Sequence, residues 1–302
     1  MYLLILLYAI LASTFTLAKT VLFYAKPFFV IGFRMTLAGT LLLLFQTIIN
    51  RRKILPAKKD ILLFFKVSLF HIYFFFMLEF WALQKMASSK VTLIYSVTPF
   101  IAAALAYFLL NEKLSKKKTF GLLLGFCGLF PIFFLQMDPT EGAEIFKISF
   151  REIALLFSAA FGAYAWFDIK KLMGKGYPLL TINGIAMLVG GILALITTAF
   201  VDGFTPSPIY DFWPFIGWLA VLIVVSNVIF YNLYGYLINK YTITFVMFAG
   251  FLSPIFGALF GWFFLGETIT WHYFLSLAIV AVALYIFYCE ELKEEPVKID
   301  KK

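Results

Sequence analysis

The chain has 302 residues, of which 63% are hydrophobic and 14% charged, where a soluble domain carries about a quarter charged residues. This balance excludes an ordinary soluble fold and points to repeated passage through a bilayer. The formal charge of +9 does not mark a nucleic-acid binder, because the basic residues stand between apolar runs rather than on a face interleaved with aromatics.

Apolar runs of about twenty residues, the length needed to cross a bilayer as helix, fall in order near Tyr2–Phe23, Phe28–Ile49, Ile61–Leu83, Val91–Leu110, Phe120–Met137, Glu152–Phe167, Leu179–Val201, Phe212–Ile238, Thr242–Leu265 and Trp271–Tyr288. The expected fold class is therefore an all-α membrane protein of ten transmembrane helices. The start, MYLLILLYAILASTF, lacks the positive charge of a secretory signal and reads as the first span. Cys127 and Cys289 lie in apolar spans and read as small packing residues, not as a disulfide, a metal site or a redox pair. Lys and Arg crowd alternate loops, around Arg51–Lys59, Lys113–Lys118 and Lys170–Lys175, and the tail Lys293–Lys302. Short basic loops favour the cytoplasmic side, so both termini are predicted to be cytoplasmic.

Two halves of the chain echo one another. A shift of 151 residues lays Lys19 on Lys170, Pro27 on Pro178 and Gly39 on Gly190, and a shift of 155 lays Lys85 on Lys240, Pro99 on Pro254 and Glu112 on Glu267. Each half holds five spans, an odd number, so the second half must enter the membrane upside down relative to the first. The expected domains are 1–139 and 140–289, two inverted five-helix repeats, and 290–302, a charged tail. Inverted repeats are the architecture of alternating-access transporters.

Charge within a span is costly enough to mark function or a structural pairing. Arg34 in span two and Glu79 in span three sit ~6–9 Å below the same face at 1.5 Å per residue, and so can meet. Either they form a structural ion pair, or Glu79 receives a cationic substrate or a proton with Arg34 as its resting partner. His71 lies two turns from Glu79, ~12 Å along the axis, where it can relay a proton or hydrogen-bond a neighbouring helix. Tyr95, Tyr164, Trp166, Asn227 and Tyr231 combine rings with polar groups near the midplane. They suit an aromatic cavity for a planar base and a cation, or helix-to-helix hydrogen bonds. Pro99 and Pro254 each remove a backbone hydrogen bond, giving gating hinges or static kinks. Glu112 and Glu267 are expected to cap the helices that follow them.

The ten spans, the Pro-x12-Glu signature of each fourth span, and the stretch GFRMTLAG at Gly32–Gly39 resemble the drug/metabolite transporter superfamily in its EamA-type branch. The resemblance implies a secondary transporter of a small-molecule metabolite, with a central cavity between spans one to four and six to nine. It implies no cofactor, no catalytic residue and no metal, and leaves open a homodimer packed through span five or ten. Ile185 stands where the repeat would place a second Arg34, so an arginine-dependent site would be asymmetric. Phe-, Ile- and Lys-rich usage points to an A+T-rich genome, as in host-dependent bacteria, and the expected location is a bacterial inner membrane. Among the substrates of such transporters, an aromatic cavity with one buried carboxylate suits S-adenosylmethionine exchanged for S-adenosylhomocysteine. The alternative is proton-coupled export of amino acids or drug-like compounds. No phosphate-cradling Gly-x4-Gly-Lys loop supports an ATP-driven pump. His71 and His272, in different halves, do not make the cluster a lipid-acting enzyme would need, and a receptor or scaffold would show no flux.

Overall fold

A computed structural model describes residues 2–48, 55–86, 88–131, 149–201, 203–205, 207–265 and 271–293. Among them the elements are helical, and strand-like pairing is confined to one bridge between Ala25 and Ile209. Eight helices of the described residues are long and apolar enough to cross a membrane. These are α1 (Tyr2–Leu22), α2 (Pro27–Ile48), α3 (Lys58–Leu83), α7 (Phe150–Gly174), α8 (Leu179–Val201), α9 (Phe212–Lys240), the run 243–260 and α12 (Trp271–Glu291). Their outward faces carry Leu41, Phe45, Ile196 and Phe200 exposed, the apolar surface that lipid accepts and water does not.

The expected fourth span is two helices, α4 (Ser88–Tyr95) and α5 (Thr98–Leu110). The ninth is likewise divided into α10 (Ile243–Phe248) and α11 (Leu252–Leu265), with a 3-10 turn at Ala249–Phe251. Proline explains both interruptions. Pro99 and Pro254 have no N–H to offer the carbonyls of Tyr95 and Gly250 four residues back, so the regular ladder stops there. The expected fifth span is represented by α6 (Lys116–Cys127), and its expected end at Met137 lies outside the described residues. The sixth is longer than expected, because α7 carries Asp168, Lys170 and Lys171 as helix rather than loop. Wide π-turns occupy Ser68–Tyr73 of α3 and Ile223–Phe230 of α9. Their first residues are 155 positions apart (223 − 68), the offset that relates the two prolines.

Glycine sets the tightest packing. A Cβ on Gly39 would lie 2.4 Å from the Leu188 nitrogen, one on Gly191 2.5 Å from the Thr36 nitrogen, and one on Gly32 2.7 Å from Leu195 Cγ. As the α2 residue number rises, the α8 number falls, so the two helices run antiparallel, backbone to backbone. In the same way Gly121 faces Ala283 and Gly128 faces Ile279 across α6 and α12, so this small-residue stripe is filled from within the chain. Lys118 at the start of α6 pairs with Glu291 at the end of α12 at 3.0 Å, and Glu291 also accepts from the Thr242 N–H and hydroxyl.

The loop after α5 differs from expectation. Asn111 ends α5 in the left-handed region at φ 53°, and Ser115, not Glu112, caps α6 by accepting from the Lys118 N–H at 3.1 Å. Glu267 lies outside the described residues.

Candidate functional site

A cavity of about 880 Å³, its open mouth included, lies between α1, α3, α4, α5, α7, α9, α10 and α11. Glu79 is the one charged residue among the described residues of its wall. Its Oε2 accepts from the Tyr95 hydroxyl at 2.7 Å. The Ser158 hydroxyl stands 2.9 Å from the Tyr95 oxygen and 2.8 Å from the Phe75 carbonyl, with a single proton to give. Sequence spacing explains the pairing: α3 turns Glu79 inward beside the break that ends α4 at Tyr95.

Further along the wall, rings replace charge. Trp166 stacks on Tyr234 at 4.1 Å between centroids, and lies 6.0 Å from Tyr231 in a parallel orientation. His71 meets Trp166 at 4.6 Å and Tyr231 at 5.0 Å, edge-on to both. Both ring nitrogens of His71 are buried without a hydrogen-bond partner. The wall thus offers π-faces, an imidazole and a carboxylate, a set that can stack a planar base and hold a cation. Among the described residues, no three His, Cys, Asp or Glu side chains gather where they could hold a metal ion.

Five of the expected site residues, Glu79, His71, Tyr95, Trp166 and Tyr231, share this wall, and three lie elsewhere. Arg34 is buried behind it, with its guanidinium 4.6 Å from the Phe76 centroid and 5.6 Å from that of Phe80. No ion pair joins Arg34 to Glu79. Tyr164 bonds Lys66, which pairs with Asp168 at 3.1 Å. Asn227 points between α2 and α8, donating to the sulfurs of Met35 at 3.0 Å and Met187 at 3.5 Å. The π-turn accounts for Asn227: the extra residue per turn moves it off the Tyr231 and Tyr234 face and puts Ser226 on the cavity instead.

Spacing missed Tyr8, Thr98, Ser226 and Ser253, yet the internal offset finds them. Adding 151 to Tyr8, Leu11 and Phe15 gives Ala159, Gly162 and Trp166, all on the wall. Adding 155 to His71, Phe75, Phe76, Glu79, Thr92, Tyr95 and Thr98 gives Ser226, Phe230, Tyr231, Tyr234, Met247, Gly250 and Ser253, again all on the wall. Only Thr14 and Ala163 lack a counterpart there. The same offsets relate two hydrogen bonds: Lys19 donates to the Met86 carbonyl at 3.2 Å, and Lys170 to the Tyr241 carbonyl at 3.3 Å.

Comparison with known proteins agrees with this arrangement. Residues 1–134 and 150–289 match the EamA-like transporter family. An S-adenosylmethionine/S-adenosylhomocysteine transporter of Chlamydia trachomatis is 31% identical over 94% of this chain and 87% of its own. One of the same name from Chlamydia muridarum is 30% identical over 94% of this chain and 89% of its own. A WAT1-related chloroplastic protein of Arabidopsis thaliana is 26% identical over 89% of this chain and 64% of its own. A protein of known crystal structure superposes over 97% of both chains with a TM-score of 0.73, at 15% identity, a likeness of fold alone.

Proposed function

Since the chain belongs to the EamA-like transporter family, we propose that it exchanges S-adenosylmethionine for S-adenosylhomocysteine across a bacterial inner membrane. The observation that carries this reading is the cavity wall, where one carboxylate, Glu79, stands among rings, hydroxyls and small or aliphatic side chains, with no other charge among the described residues. An adenine suits the faces of Trp166, Tyr231 and Tyr234, and the ammonium of the amino-acid arm suits Glu79. A sulfonium is a soft cation that aromatic faces also attract. The relatives named as S-adenosylmethionine/S-adenosylhomocysteine transporters share nearly a third of their residues with the chain over most of its length, which supports the same pair of substrates.

The mechanism we propose is alternating access by two inverted five-helix halves making ten spans, with both termini cytoplasmic. Three observations support it. Wall positions recur at the offsets of 151 and 155, as a site on an axis between two repeats requires. Helices at equivalent places in the two halves, α2 with α8 and α6 with α12, run antiparallel. The prolines divide both the fourth and the ninth spans beside the cavity, at places suited to hinges.

Counterflow in proteoliposomes tests the function. Vesicles are loaded with unlabelled S-adenosylhomocysteine, and entry of labelled S-adenosylmethionine is followed with and without a pH gradient. Entry that requires the internal load and no gradient is expected. Entry that occurs only with an imposed gradient would overturn exchange in favour of proton-coupled transport, and no entry under any condition would overturn this substrate in favour of another metabolite.

A further inference from the structure

Thr98 and Ser253 stand immediately before Pro99 and Pro254, 155 positions apart (253 − 98), and both line the cavity. Hydroxyls in a helix ordinarily bond their own backbone one turn back. Ser68, Ser96 and Thr198 do so here, donating to Phe64, Thr92 and Ala194 carbonyls at 2.8, 3.1 and 2.9 Å. Thr98 Oγ1 and Ser253 Oγ do not; Thr36, Thr181, Thr244 and Ser276 also lack a partner, but none of these lies on the wall. Thr98 Oγ1 and Ser253 Oγ are both enclosed with no hydrogen-bond partner, and Ser253 is only 5% exposed. An enclosed hydroxyl without a partner costs stability unless something else completes it.

The other wall positions related by this offset are mostly unlike in chemistry. Glu79 answers to Tyr234, His71 to Ser226, Tyr95 to Gly250 and Thr92 to Met247. Thr98 and Ser253 are the pair in which both halves supply the same polar group. Two equivalent donors on two related elements match a ligand group with two equivalent acceptors. A carboxylate is such a group. With no lysine or arginine on the wall among the described residues, it must be held by neutral donors. His71, edge-on between Trp166 and Tyr231, belongs with the ring wall instead.

We propose that the Thr98 and Ser253 hydroxyls form the subsite for the substrate's α-carboxylate, each donating to one oxygen, while Glu79 takes the ammonium. The inference rests on the reading of the substrate as an amino-acid-bearing adenosyl sulfonium, and it makes the carrier selective for the zwitterionic arm rather than for the nucleoside alone.

The test is competition in the counterflow assay between S-adenosylmethionine and decarboxylated S-adenosylmethionine, which keeps the adenosine, the sulfonium and the amine. The wild-type protein should prefer the carboxylated compound by roughly tenfold to a hundredfold, the range of one or two charge-assisted hydrogen bonds. In Thr98→Val with Ser253→Ala that ratio should collapse toward one, with each single substitution lowering it part of the way and Thr98→Ser restoring it. A wild-type ratio near one, or a ratio that survives in the variants, overturns the subsite and leaves the exchange reading intact. Wild-type protein that accepts neither compound overturns both. Because the wild-type ratio is decisive by itself, a poorly folding double variant does not rescue the idea.

Discussion

Glu79 sits 5% exposed and accepts a hydrogen bond from the Tyr95 hydroxyl, in a wall where no other side chain among the described residues carries charge. Substituting Gln keeps the shape and still accepts from Tyr95, so it removes charge and little else. Glu79→Gln is expected to lower counterflow by more than about tenfold, the loss of one charge-assisted contact, with normal abundance in the membrane. Tyr95→Phe should cost less, about severalfold, because the carboxylate survives and only one neutral donor is lost. Equal transport rates in Glu79→Gln and wild type, at matched abundance, would remove Glu79 from the site. This residue was legible in the sequence because a carboxylate in an apolar span stands out. The hydroxyls of Thr98, Ser226 and Ser253 were not, since Ser and Thr are common in membrane helices and normally bond their own backbone. Arg34 stood out for the same reason as Glu79, but it lies behind the wall, its guanidinium against the Phe76 and Phe80 rings and its Nε and one Nη buried without a hydrogen-bond partner.

Elements were legible where apolar length and proline decide them, and less so where side-chain spacing had to be turned into a facing. The π-turns at Ser68–Tyr73 and Ile223–Phe230 change the number of residues per turn, so a stripe read at 3.6 residues per turn drifts across them. Asn227 was lost from the cavity for that reason. Close helix approach, by contrast, follows from glycine alone. Added methylenes cost about 1–3 kcal/mol in a packed core where side chains can shift, and more at Gly39 and Gly191, where the first atom met is backbone. Gly39→Val and Gly191→Val should therefore sharply reduce the yield of monodisperse protein on size-exclusion chromatography. Gly257→Val, with nothing within 4 Å of its added Cβ, should behave as wild type. Normal yield from the first two would mean that α2 and α8 need not approach so closely.

Over the whole molecule, the proposed inverted arrangement predicts opposite membrane sides for equivalent helix ends. Phe23, just past the end of α1, is 70% exposed, and Lys171, near the end of α7, is also exposed. In a background with Cys127 and Cys289 replaced by Ala, Phe23→Cys should react with an impermeant maleimide in intact cells, and Lys171→Cys only after permeabilisation. Labelling of both from one side would overturn the inversion. The membrane-spanning, all-helical character was readable from length and apolar composition because the bilayer imposes both. The cavity itself was readable only in part, since its asymmetry is fixed by what each half substitutes at equivalent positions.

The lysine joints carry a consequence for how such a chain can diverge. Lys19 and Lys170 each grip a main-chain carbonyl, and the residues that own those carbonyls, Met86 and Tyr241, have nothing in common as side chains. Every amino acid brings the same acceptor, so each joint restrains mutation at its cationic end and leaves the other end free to drift. A survey of positions that change together through evolution would pass over both.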